Sequence, residues 1–166
     1  ELVKKAAATG KTLVLGVDDV EVAKAALEIT KAGKPILNGA NASNYEAMNA
    51  LAKDADVVLG VGGANLDEIY DTVAAIEKLG NKNLVIDATG ATIKETYANA
   101  VQIRRAALKD QDRTFGYPSI VNVAKVARGD RYMQEALVSL FTMKYGSIVV
   151  LENLGYAEAL PLFGLR

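Results

Sequence analysis

Short runs of β-branched and aliphatic residues alternate along this chain with longer stretches in which apolar residues return every three or four positions. The short runs cover residues 12–17, 35–39, 57–61, 84–87, 115–121 and 147–151. Continuous apolar runs of this length predict strands buried on both faces, as in a parallel sheet. The longer stretches predict helices. Asp18 or Asp19 is placed to cap the first, with Val22, Ala25, Ala26 and Ile29 on one stripe. Asn44 precedes a second, carrying Met48, Leu51 and Ala52. A third carries Leu66, Ile69, Tyr70, Val73 and Ile76 and stops at Gly80. A fourth carries Ile93, Tyr97, Ala100, Val101 and Leu108, and a fifth Met133, Leu137, Leu140 and Phe141. Residues 1–9 read as the tail of a helix, and a last helix starts near Ala157.

Six βα units with right-handed crossovers build either an open doubly wound sheet or most of a (β/α)8 barrel, and spacing leaves both open. At 166 residues the chain reads as one domain able to bury a core. An apolar fraction of 51% and a mean hydropathy of +0.13 place it with globular rather than disordered chains. The net charge of −1 argues against a nucleic-acid surface. No apolar run reaches the roughly 18 residues that span a bilayer. Without a charged-then-apolar leader, the expectation is a cytoplasmic protein that contacts neither membrane nor nucleic acid.

The chain has no cysteine and no histidine. That excludes disulfides, a thiolate nucleophile and cysteine-ligated iron–sulfur clusters within this segment. It also removes the usual general base near neutral pH and the commonest metal ligand. No metal site and no catalytic residue are expected here.

In a barrel the working face is the C-terminal end of the strands. Read strand by strand, those ends offer Asp18, Asn38 with Asn41, the 62–65 turn, Asp87, Asn122, and Glu152 with Asn153. One reading is a ring of hydrogen-bonding groups facing one cavity. The other is helix capping and turn formation, which Asp and Asn perform anywhere. Gly62 and Gly63 lack the full spacing of a phosphate-binding loop, so they read as an ordinary turn. Asp87 and Glu152 are the carboxylates available for acid–base work, with capping as their simpler role. Arg104 falls inside the apolar stripe of its helix. It either snorkels to solvent, as Lys144 would, or holds a carboxylate or strand-end carbonyls. The 131–145 helix is apolar around most of its circumference, which calls for cover by further chain or a partner.

The most informative segment is VQIRRAALKDQDRTFGYP, followed by EALVSLFTMKYGSIVVLENL and EALPLFGLR. This ordered series resembles the central barrel of the corrinoid iron–sulfur protein large subunit, the archaeal acetyl-CoA decarbonylase/synthase gamma subunit. The likeness covers residues 13–166 and is most specific at 102–118 and 145–166. It implies a TIM-type (β/α)8 barrel, here incomplete, with residues 1–166 supplying the third to eighth βα units. The family's iron–sulfur and cobalamin domains lie elsewhere, so cobalamin and [4Fe-4S] are implied for the full-length protein and none for this segment.

The function so implied is carriage of a methyl group between a methyl-tetrahydropterin and acetyl-CoA synthase. This is one-carbon chemistry of the acetyl-CoA (Wood–Ljungdahl) pathway, of carbon fixation and of methanogenesis. The implied partners are a small corrinoid protein subunit in a barrel–barrel heterodimer, a methyltransferase, and acetyl-CoA synthase/CO dehydrogenase. The full-length parent is then a candidate methyl-tetrahydropterin:corrinoid protein Co-methyltransferase, this segment alone being scaffold and docking surface. Two alternatives stand. PILNGANASN and LVIDATG also resemble pterin-binding barrels of the methyltetrahydrofolate methyltransferase and dihydropteroate synthase type. On that pattern Asp18, Asn38, Asn41, Asp87 and Asn122 would read a pterin ring. The other alternative is a purely structural docking barrel.

Overall fold

The structure is a computed structural model describing residues Glu1 to Leu165. The chain forms two compact units, Glu1–Ile86 and Asp87–Arg166. Both are α/β with parallel strands, and the strands follow one another in chain order.

In the first unit α1 (Leu2–Ala7) leads to β1 (Val14–Gly16), α2 (Val20–Thr30), β2 (Ile36–Ala40), α3 (Tyr45–Asp54), β3 (Val58–Val61) and α4 (Leu66–Lys78). β4 (Leu84–Asp87) ends it, its last residue Asp87 opening the second unit. Val14 pairs with Ile36, Ile36 with Val58, and Leu59 with Leu84. Leu37, Leu59 and Val61 are sealed from solvent, and Met48, Ile69, Val73 and Ile76 of the helices seal the core around them. On α4 the buried positions Ile69, Thr72, Val73 and Ile76 recur at helical spacing.

The expected stripe on α2 is displaced. Val22 and Ile29 are exposed, and Ala23, Ala26, Leu27 and Thr30 are buried instead. Small alanines face inward, which lets the helix pack closely, and Thr30 satisfies its hydroxyl on the Ala26 carbonyl. Asp19, not Asp18, caps this helix, accepting from the Val22 N–H at 2.9 Å. The same displacement occurs on α5 below, where Tyr97 and Leu108 are exposed and Thr96, Ala100 and Ile103 are buried.

The second unit holds α5 (Ile93–Lys109), β5 (Ser119–Asn122), α6 (Val123–Ala127), α7 (Arg131–Leu140), β6 (Ile148–Val150) and α8 (Tyr156–Leu165). Ile120 pairs with Ile148, and the Ala88 N–H donates to the Ile120 carbonyl at 2.9 Å. The strand expected from Phe115 begins only at Ser119. Pro118 has no N–H for a ladder, and a turn in which Gly116 N–H meets the Arg113 carbonyl fills the space before it. The five-residue α6 was not expected from the pattern. It ends where Arg128 and Gly129 both take positive φ, 51° and 81°.

The continuous 131–145 helix is also corrected. After Leu140 it widens into a π-helical turn, Phe141–Tyr145, closed by the Gly146 N–H on the Phe141 carbonyl at 2.9 Å. Its apolar surface is not uniformly open. Leu137, Val138 and Phe141 are buried, whereas Tyr132, Met133 and Met143 are exposed. Arg104 lies on the exposed side of α5 and donates from Nη1 to the Lys144 carbonyl at 3.1 Å. It therefore grips a helix-end carbonyl rather than a strand end. No helix among the described residues is long and apolar enough to cross a membrane.

Candidate functional site

Asparagines organise the strand ends of the first unit. Asn44, just ahead of α3, donates from Nδ2 to the Asp18 carbonyl at 2.7 Å and to the Gly39 carbonyl at 3.1 Å. Its Oδ1 accepts from the Asn41 N–H at 2.8 Å. One side chain thus ties the turn after β1 to the turn after β2. Asn41 in turn folds its own loop, accepting from the Ser43 N–H and Oγ. Gly39 is obligatory, because a Cβ there would run into the Val17 carbonyl. Asn38, half-buried in the middle of β2, packs its side chain over Gly60 of β3. Asp18 is exposed.

The turn after β3 is not built to take an anion. Asn65 caps α4 on the Glu68 N–H at 2.9 Å, and the Glu68 carboxylate reaches back to the Ala64 N–H at 3.1 Å. This reciprocal capping places a carboxylate where a phosphate would need donors. Thr92 and Glu95 repeat the device at the start of α5.

In the second unit Asp87 Oδ1 accepts from the Thr89 N–H at 2.9 Å, an Asx turn. Asn122 caps α6 through the Lys125 N–H at 3.0 Å, and its own N–H donates to Thr89 Oγ1 at 2.8 Å. Both therefore carry a structural load. A cleft of about 550 Å³ opens after β6, lined by Arg131, Gln134, Glu152, Asn153 and Glu158 among others. Buried Gln134 holds its floor, accepting from the Glu152 N–H at 2.9 Å and donating to the Asn153 carbonyl at 3.4 Å. Arg131 is neutralised by Glu158 and Glu135. Among the described residues no cluster of three or more acidic, histidine or cysteine side chains is placed to hold a metal.

The sequence family described as the CO dehydrogenase/acetyl-CoA synthase delta subunit matches residues 1–166. The chain belongs to this family. It is 40% identical over 161 residues to the corrinoid/iron-sulfur protein large subunit of Moorella thermoacetica, covering 97% of this chain and 35% of that protein. It is 29% identical over 176 residues to the acetyl-CoA decarbonylase/synthase complex subunit gamma of Archaeoglobus fulgidus, covering 100% and 37%. The corresponding subunit of Methanothermobacter thermautotrophicus is 32% identical over 165 residues, covering 93% and 36%. The chain thus spans about a third of the length of these relatives.

Three residues that build this family member's strand ends escape a reading by strand position. Asn44 ties the turn after β1 to the turn after β2, which Asn41 does not. Gly60 makes room for Asn38. Gln134 was detectable as a polar residue standing in the stripe of Leu137, Val138 and Phe141.

Proposed function

We propose that this chain is the barrel portion of a corrinoid iron–sulfur protein that carries methyl groups between a methyl-tetrahydropterin and an acetyl-CoA-forming enzyme. The observation that carries this is the 40% identity to the Moorella large subunit across 97% of the chain, joined to a family match over its whole length. The fold supports it. In the first unit the strands run β1-β2-β3-β4 without the reversal of order that marks a doubly wound sheet, as consecutive strands of a (β/α)8 barrel would.

The cofactors named by the relatives do not fit the donors present here. A [4Fe-4S] cluster takes cysteine thiolates and a protein-ligated cobalt takes an imidazole, and the chain has neither residue. Within this proposal residues 1–166 supply the third to eighth βα units, as framework and docking surface. The partners are a small corrinoid protein subunit, a methyltransferase and the synthase, in the cytoplasm. Sedimentation of the natural full-length protein with the small corrinoid subunit tests the docking role. A stable heterodimer is the expected result, and two independent species would refute it.

A second reading assigns pterin contacts to Asn38 with Asp18 and Asn41, and to Asp87 with Asn122. Its support is the resemblance of PILNGANASN and LVIDATG to pterin-binding barrels. Paired, partly charge-assisted bonds from carboxylates and amides suit a donor-rich flat ring. Calorimetry with tetrahydrofolate and its methanogen analogue tests it. Asp87→Ala should abolish the heat of binding, and a silent wild-type titration would remove this reading.

A further inference from the structure

Segments 102–118 and 144–147 meet at one place, apart from the strand-end turns described above. Arg104, Phe115 and Tyr117 come from the first, and Lys144, Tyr145 and Ser147 from the second. Together they line a cleft of about 250 Å³ before the first residues of β5 and β6, at the opposite strand ends from the turns described above. None of its lining residues is acidic, and two are permanently or strongly cationic.

The arrangement is braced. Arg104 spends one donor on the Lys144 carbonyl, and the guanidinium has five. Lys144 Nζ lies 5.6 Å from the centre of the Tyr145 ring, a cation–π contact that leaves its ammonium protons available. Tyr97 meets Tyr145 edge to face at 5.6 Å and 83°, fixing that ring. Ser119 Oγ donates to the Tyr145 carbonyl at 3.3 Å, and Ser147 Oγ accepts from the Ser119 N–H at 3.2 Å, keeping its own O–H to give. The π-helical turn Phe141–Tyr145 brings Lys144 and Tyr145 to this spot, and such turns are frequent at functional sites.

We propose that this cleft binds a small oxyanion carrying a flat ring, such as a ring-bearing phosphate monoester or carboxylate. Arg104, Lys144 and the Ser147 hydroxyl receive the charge, and Tyr117, Phe115 and Tyr145 receive the ring. The volume falls below the roughly 300–1,000 Å³ of sites for drug-sized molecules, so the occupant is small.

The test is titration of the natural full-length protein at low salt with phenyl phosphate, benzoate and inorganic phosphate, followed by calorimetry. One ring-bearing anion should bind about tenfold tighter than inorganic phosphate, and the better of the two identifies the oxyanion. Lys144→Gln should weaken that binding about tenfold, since it removes a charged donor yet keeps the carbonyl that Arg104 grips. Arg105→Gln, outside the cleft, should leave it unchanged, and added salt should weaken it. The proposal is overturned if no ring-bearing anion binds at millimolar concentration. It is equally overturned if inorganic phosphate binds as tightly, or if Lys144→Gln binds like wild type.

Discussion

Gly60 and Asn38 are register partners across β3 and β2, and a Cβ on residue 60 would lie 2.9 Å from Asn38 Cα and collide with its amide oxygen. The glycine is therefore a packing requirement of the asparagine. Gly60→Ala should displace Asn38 and destabilise the protein by about 1–3 kcal/mol, the usual cost of overpacking. Gly16 of β1 has open space where a Cβ would stand, so Gly16→Ala should change stability by less than about 0.5 kcal/mol. Urea unfolding of the two variants checks both.

Asn44 holds two turns at once. Asn44→Ala strands the part-buried Asn41 N–H and releases the carbonyls of Asp18 and Gly39. The expected loss is about 1–3 kcal/mol. Amide exchange should quicken at Asn41 in the variant, whereas an unchanged Asn41 rate would show that the bond contributes nothing.

Val138 and Met143 separate folding from assembly. Val138 is buried, so Val138→Glu should cost roughly 3 kcal/mol or more and lower the melting temperature sharply. Met143 is 57% exposed, so Met143→Glu should melt like wild type. If the π-turn surface docks the small corrinoid subunit, Met143→Glu should also weaken the heterodimer in sedimentation. Undiminished assembly would place the interface elsewhere.

The Tyr97 phenol is raised above its ordinary value by its hydrogen bond to Tyr145 and then by the charge Tyr145 would carry. A raised folded-state value stabilises the protonated form. That contribution is complete below the unfolded phenol's value, about 10, and is lost as pH rises through the folded one. Melting temperature should therefore fall in alkaline solution above about pH 10. Tyr97→Phe should flatten that fall, and an identical alkaline slope in the variant would refute the coupling.

The strand cadence was legible because parallel strands buried on both faces leave continuous apolar runs. Leu84–Asp87 matches the observed strand at both ends. Helix faces were less legible. On α2 the inward residues are Ala23, Ala26, Leu27 and Thr30, two of them small and one polar, so Val22 and Ile29 drew the stripe outward by about one position. The break at Phe141 left no mark, because a π turn needs neither Gly nor Pro. At the strand ends capping and ligand binding were both left open by the sequence. Asn122 and Asp87 spend an oxygen each on loop N–H groups, as caps and turns do, and no spacing in the sequence separates that use from ligand binding.

On the proposed function this chain is part of a carrier of methyl groups toward acetyl-CoA. The most direct measurement follows a labelled methyl group from a methyl-tetrahydropterin, with the natural full-length protein, its small corrinoid partner, a methyltransferase and acetyl-CoA synthase present. The account predicts label in acetyl-CoA that depends on the full-length protein. Label reaching acetyl-CoA equally well without it, or not at all with every component active in separate assays, would contradict the account.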